Sequence, residues 1–302
     1  MHTLLSLNNG NDAGLFMYAI TGITGQVGGE VARTLLTAKQ SVRAVVRDLA
    51  KAKVWERRGA EIALADMQDT GALTTAFSGC EGVFVLLPPN FDPSPDFAES
   101  RRIIDALYNA LERSRPQRVV CLSTIGAQAR EQNLLTQLSI FEDTLKNLPL
   151  PITFLRPAWF MENCAWDVTS ARDTGVVFSF LQPLDRAIPM IATADIGQLA
   201  AELLQQHWIG RRIVELEGPD RISPNDIAVT FARLLARDVR AETVPRNSWE
   251  TLFTSQGMRN SMPRIRMLDG FNEGWIDFEG RPLKGATDLD TVLRALIGRD
   301  GK

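Results

Sequence analysis

The chain has 302 residues, 45% of them apolar and 23% charged, with a formal net charge of -3. This is too long for one small core and predicts a main domain with a smaller appended one. The slightly acidic balance leaves no broad basic surface for direct nucleic-acid binding, and the arginine pairs Arg57 with Arg58, Arg101 with Arg102 and Arg211 with Arg212 read as solvated faces of amphipathic patterns.

Cys80, Cys121 and Cys164 are far apart, with no C-x-x-C pair for a metal or a redox couple. That usage fits a reducing, cytoplasmic setting. His2 and His207 are the only histidines, which excludes a histidine metal cluster and leaves a Ser-His-Asp triad only His207 to build on. His207 ends the helical stretch "DIGQLAAELLQQHW", where an imidazolium favours the negative end of the helix dipole. No apolar run reaches the roughly 20 residues of a membrane span. Residues 1–16 precede the abrupt start of the pattern at "MYAITG" and are expected to form a tail outside the fold.

From Met17 the sequence alternates short β-rich runs with amphipathic helical stretches, which predicts parallel strands joined by right-handed crossovers. The expected strands are 17–21, 41–47, 61–66, 82–87, 118–124 and 151–157, a doubly wound parallel α/β sheet. Between them, "DFAESRRIIDALYNALERS" turns Ile103, Leu107, Ala110 and Leu111 inward, and "LLTQLSIFEDTLKN" places residues 134, 138, 141 and 145 on one helix face. After Pro157 a loop-rich segment broken by Gly175, Pro183 and Pro189 is expected. A helix at 194–207, a strand at 211–218 and a helix capped by Ser223, with Pro224 and Asp226 in its first turn, follow. The tail from 249 reads as short helices and turns. The expected domains are 17–156 for nucleotide binding, with strand 211–218 returning to its sheet, and 157–302 mainly for substrate.

"TGITGQVG" leaves a strand, turns and opens a helix whose Val27, Val31 and Leu35 face the sheet. Gly22 suits the tight turn, Gly25 lets a pyrophosphate approach, and Gly28 lets helix and strand pack closely, while N–H groups around Gln26 and Val27, beside Thr24, meet the anion. The second strand ends in Arg47, 19 positions after Gly28, where a guanidinium can clasp a ribose 2′-phosphate. NADP(H) is therefore preferred, with NAD(H) possible. Arg43 and Lys51 can add charge. Asp66 either neighbours the adenine or caps the next helix, and Leu87 ends the fourth strand beside the cofactor.

The ordered motifs "MYAITGITGQVGGEVARTLL", "VRAVVRD", "LADMQD", "VVCLSTIGA", "ITFLRPAWFMEN", "ATADIGQLAAELL" and "VELEGPDRIS" resemble the NmrA-like group of atypical short-chain dehydrogenases and reductases. The resemblance spans Met17 to about residue 250. It implies a Rossmann domain with a smaller C-terminal substrate domain, and a function as either an NADPH-dependent quinone oxidoreductase or a redox-sensing regulator.

Catalytic members of the wider superfamily place a Tyr-x-x-x-Lys pair on the helix after the fifth strand, where lysine tunes the tyrosine that passes a proton to the carbonyl. If Glu142 matches the usual glutamate of that helix, Leu134 and Leu138 occupy those two positions, while Ser123 matches the serine at the strand's end. Alcohol dehydrogenation, epimerisation and dehydration lose their acid–base machinery. Hydride transfer to a quinone does not need it, because water can protonate the product. Ser123 or Thr124 can hydrogen-bond the substrate oxygen, or serve as ordinary strand-end groups. Pro157, Trp159, Phe160 and Asn163 of "RPAWFMEN" either line the cleft or join the two cores. Asp195 reads as a structural helix cap. Two functions follow: reduction of a quinone or similar conjugated carbonyl, or NADP(H) sensing through a protein partner.

Overall fold

The computed structural model describes residues 16–300, so residues 1–15 of the expected tail lie outside the described residues. The first half runs β1 (Met17–Ile20), α1 (Gln26–Thr37), β2 (Ser41–Val46), α2 (Leu49–Glu56), β3 (Glu61–Leu64), α3 (Thr70–Phe77), β4 (Gly82–Leu86), α4 (Ala98–Ser114), β5 (Arg118–Leu122), α5 (Thr136–Leu145) and β6 (Ile152–Pro157). The second half runs β7 (Trp159–Phe160), α6 (Val168–Thr174), β8 (Val176–Ser179), β9 (Ile188–Ile191), α7 (Thr193–Gln205), β10 (Arg211–Glu217), β11 (Arg221–Ile222), α8 (Pro224–Leu235), β12 (Arg240–Thr243), α9 (Trp249–Ser255), α10 (Met262–Glu273), β13 (Leu283–Lys284) and α11 (Leu289–Asp300).

The main sheet is parallel, in the order β3-β2-β1-β4-β5-β6-β10-β13. Strand succession reverses between β1 and β4, which opens a crevice at the strands' carboxyl ends. Helices cover both faces, so β4 reads as a near-continuous apolar run with Val83, Phe84 and Val85 fully buried. Val27, Val31 and Leu35 of α1 pack on one face as the sequence predicts. Burying each such side chain stabilises by roughly 1.5–3 kcal/mol relative to exposure. Along α4, Ile104 takes the inward position expected of Ile103, which is only half-buried; Leu107, Ala110 and Leu111 point inward as expected.

A second core forms around Trp249, Phe253, Ile265, Leu268, Phe271 and Leu293. It orders more of the chain than the sequence predicts. The segment after Pro157 contains α6, β8 and β9, and the tail holds two 12-residue helices, α10 and α11, with β13 as a new edge strand. Pro263 hides α10 in the sequence, yet in the first turn it removes no helical hydrogen bond. The expected start of α8 is present: Ser223 Oγ accepts from Asp226 N–H and the Asp226 carboxylate accepts from Ser223 N–H at 2.8 Å.

Two expectations need correction. Leu134 lies outside α5, because its N–H donates to the Pro263 carbonyl at 2.8 Å while Asn133 Oδ1 accepts from Leu135 N–H, so the helix opens at Thr136. His207 does not cap α7. Arg118 Nη1 donates to Leu204 O at the end of α7, and its Nη2 meets His207 Nδ1 at 2.9 Å. Arg118 is thus the cation that serves the helix end.

Candidate functional site

Gly22 adopts a left-handed φ of 61°, with the Leu86 side chain packed where a Cβ would stand. A Cβ at Gly28 would lie 2.5 Å from Gly22 O and 2.9 Å from Thr21 O, so the missing side chain sets how closely α1 approaches β1. Thr21 bridges the switch point, its hydroxyl donating to Phe84 O and accepting from Leu86 N–H. Thr24, Gly25 and Gln26 are exposed, no side chain caps α1, and its first turn carries no acidic residue. The N–H groups of Gln26 and Val27 have no hydrogen-bond partner among the described residues, the donor set that an anion at a helix start requires.

Arg47 and Asp66 stand exposed at the ends of β2 and β3, on the same side of the switch point. Asp48 caps α2 by accepting from Ala50 N–H. Asp66 accepts from Gln68 N–H, whereas Asp69 caps α3, so the capping role suggested for Asp66 belongs three residues later. Arg43 does not add charge to this edge: its guanidinium pairs with Glu61 at 2.7 Å and donates to the Ala76 and Ser78 carbonyls at the end of α3. Leu87 is half-buried, next to the Leu86 that closes the glycine turn.

Across the switch point, Ser123 follows β5 and is buried, and its hydroxyl donates to Glu142 in a very short hydrogen bond. Glu142 is gripped from the other side by Arg156, Nε to Oε1 at 2.9 Å and Nη2 to Oε2 at 2.7 Å. Arg156 also donates to Glu279 at 2.7 Å. Burial opposes the Arg156 charge, but Glu142 and Glu279 together outweigh it and raise the guanidinium's pKa. Because the Ser123 proton is committed to Glu142, Ser123 offers a carbonyl oxygen no donor. Thr124 is half-buried, and its hydroxyl has no partner among the described residues.

In the "RPAWFMEN" segment, Pro157 remains within β6, buried, with its carbonyl accepting from Ile125 N–H. Trp159 and Phe160 alternate on β7. Trp159 meets Phe271 of the small core edge-on with centroids 5.1 Å apart, and Phe160 packs on the main sheet's core. Asn163 is half-buried with no side-chain partner among the described residues. Glu162, which sequence reasoning passed over, accepts from Thr193 N–H and Oγ1 at the start of α7. Asp195 caps nothing: its carboxylate accepts from Thr287 N–H and Oγ1, holding the segment before α11.

The loop from Leu87 to Phe97 reaches the small lobe, where the Asp92 carboxylate accepts from Asn260 and Arg259 N–H groups at 2.7–3.1 Å. These amides, Asn260's foremost, hold the Asp92 carboxyl below the usual carboxylate range. A lowered pKa means that the clasp contributes fully above the ordinary value of about 3.9 and is lost as pH falls through the folded value. Hydrogen exchange at the Arg259 and Asn260 amides, corrected for intrinsic rate, is expected to be slow near neutrality and to accelerate on acidification. In Asp92→Ala it should be fast throughout; full protection in that variant would contradict the clasp.

A parallel doubly wound sheet with a glycine turn at its switch point and a second lobe over the carboxyl edge defines a Rossmann-like architecture of the dinucleotide-binding type. The model of the NmrA-like family matches residues 17–277, and the chain belongs to that family. It is 27% identical over 288 residues to an NAD(P)H azoreductase from Xenophilus azovorans, covering 95% of this chain and 94% of the relative. It is 25% identical over 285 residues to quinone oxidoreductase 2 from Escherichia coli (strain K12), covering 93% and 94%. Among solved structures, the Citrobacter sp. triphenylmethane reductase complexed with NADP(H) superposes with a TM-score of 0.78 at 17% identity, over 93% of this chain and all of that one. The Escherichia coli NADPH-dependent quinone oxidoreductase complexed with NADPH gives 0.72 at 22%, over 93% and 95%. Among the described residues no helix is long and apolar enough to cross a membrane, and no acidic, histidine and cysteine group could hold a metal ion.

Proposed function

We propose that this chain is an NADPH-dependent reductase of a quinone or a similar conjugated carbonyl. The glycine turn fits the dinucleotide: the Gln26 and Val27 amides, with Thr24 and Gly25 beside them and Gly22 and Gly28 shaping the backbone, hold the pyrophosphate. Arg47 takes the 2′-phosphate, with the neighbouring carboxylate of Asp48 engaged on α2. Asp66 lies on the adenine side and Leu87 on the side of β4. When bound, the reduced nicotinamide supplies a hydride.

The observation that carries the choice of acceptor is the state of the β5 edge. The Ser123 proton is held by Glu142, and aligning Glu142 with the superfamily's usual glutamate puts Leu134, just before α5, and Leu138 at the tyrosine and lysine positions. An electron-poor conjugated acceptor suits that edge, because its reduced oxygens take protons from water. Thr124 donates to the acceptor oxygen, and Trp159 and Asn163 bound the cleft from the small lobe, while Pro157 and Phe160 support them from the core side. The relatives named for azo and quinone reduction support this reading.

Arg47→Ala is expected to lower kcat/KM for NADPH about 10- to 100-fold with 1,4-naphthoquinone as acceptor, and to leave the value for NADH nearly unchanged. Equal losses would remove the 2′-phosphate assignment, and no oxidation of either nucleotide by the wild type would overturn the reductase reading.

A further inference from the structure

Arg264, in the first turn of α10, is half-buried without a counter-ion. Its Cζ lies 4.5 Å from the Phe253 ring centroid and 5.8 Å from that of Phe91, and its polar contact is Met258 Sδ at 4.0 Å, a weak acceptor. Among the described residues no carboxylate or carbonyl oxygen comes within hydrogen-bonding distance of it. Two arginines nearby in sequence are matched by carboxylates: Arg246 forks onto Asp269 at 2.6 and 2.8 Å, and Arg221 onto Asp277 at 3.1 and 3.2 Å. Burial pulls the Arg264 pKa down, so the position carries a desolvation cost that no protein anion offsets.

Its place in the fold gives that cost a purpose. Phe91, 45% exposed, belongs to the loop leaving β4. The carbonyl of Pro263, beside Arg264, accepts from Leu134 on the loop leaving β5, and Asp92 clasps the backbone at Arg259 and Asn260. Arg264 thus stands where the small lobe meets the loops after β4 and β5. Those strands lie across the switch point from Arg47, so the cofactor's 2′-phosphate is not its partner.

Resting on the reductase reading above, we infer that the acceptor is a flat aromatic molecule bearing an anionic substituent, a carboxylate or sulfonate, whose oxygens Arg264 binds while the ring lies against Phe91. Arg264 has planar donors suited to a two-oxygen anion, and Phe91 supplies an exposed aromatic face. The substituent supplies the missing counter-charge. A neutral acceptor of the same ring system leaves that guanidinium unpaired.

The test is equilibrium binding to the full chain saturated with NADP+, so that no turnover is needed. The probes are 1,4-naphthoquinone and its 2-sulfonate, titrated calorimetrically into wild type, Arg264→Met and Arg264→Lys. The wild type is expected to bind the sulfonate about 10- to 100-fold more tightly than the parent quinone. Arg264→Met should erase that preference, and Arg264→Lys should keep only part of it. Equal affinities in the wild type, or a preference that survives in Arg264→Met, would overturn the inference. Should Arg264→Met fail to fold, the wild-type preference and its reduction in Arg264→Lys decide the matter. A chain that prefers the sulfonate but oxidises NADPH with no acceptor fails the reductase reading alone; one that reduces neutral quinone and shows no preference fails this inference alone.

Discussion

Gly28→Val is expected to abolish dinucleotide binding. Even the first side-chain atom would stand 2.5 Å from Gly22 O, 2.7 Å from Gly22 C and 2.9 Å from Thr21 O, all of them backbone atoms of the turn. Relief requires α1 to move off β1, which displaces the Gln26 and Val27 amides from the geometry set by the turn. Forcing extra atoms into such a contact costs about 1–3 kcal/mol of stability. A rise in the NADPH dissociation constant of at least about 100-fold corresponds to about 2.7 kcal/mol of lost binding. Fluorescence titration with NADPH reads the affinity, and thermal melting shows how much of the fold survives. Gly25→Ala separates the two effects, because its Cβ would meet only Gly22 O at 3.2 Å and otherwise points into the open approach to the turn. It should weaken binding with little loss of stability. NADPH affinity unchanged in Gly28→Val would exclude the turn as the phosphate site.

Glu142→Ala is expected to be the most damaging single change to stability. Arg156 is buried, and two of its nitrogens are spent on the Glu142 carboxylate. Removing one partner of a buried pair leaves the other charge uncompensated, at a cost of about 3–5 kcal/mol. Glu279, more than half exposed, offsets only part of this loss. The double variant Glu142→Leu with Arg156→Met should be less destabilised than the sum of its single changes, since it buries no lone charge. Urea unfolding measures each value. A loss in Glu142→Ala within about 0.5 kcal/mol, the range of ordinary surface substitutions, would show that the pair does not hold this part of the fold. Glu142→Ala also frees the Ser123 hydroxyl, so the edge of β5 changes together with the core beneath it.

The parts legible in the sequence are those set by local spacing. Gly22, Gly25 and Gly28 act through backbone geometry within a few residues, and Ser223 with Asp226 closes its capping box across three positions. The buried strands show as apolar runs because helices cover both faces of the sheet. The hidden parts depend on partners distant in sequence. Arg156 meets Glu142 at a separation of 14 residues and Glu279 at 123, and no periodicity marks either pairing. Leu134 falls outside α5 because a carbonyl from α10 takes its N–H, a competition that the local pattern cannot express. Arg118 displaces His207 from the end of α7 in the same way, arriving from β5. Glu162 sits within a stretch singled out for its aromatics, yet its carboxylate rather than those rings fixes the start of α7 beside Gln26. Arg264 shows no sequence signal among 33 lysines and arginines; its lack of a counter-ion is visible only in three dimensions.

The proposed reaction is hydride transfer to an electron-poor acceptor without a dedicated protein acid. The direct measurement is oxidation of NADPH by the purified chain in the presence of neutral and sulfonated quinones on one side and simple saturated ketones on the other. Turnover is predicted with quinones and none with the ketones, whose alkoxide products need a protein acid. Tight NADPH binding with no turnover of any quinone would contradict the account, and rapid reduction of the ketones would show that a proton donor stands at the β5 edge after all.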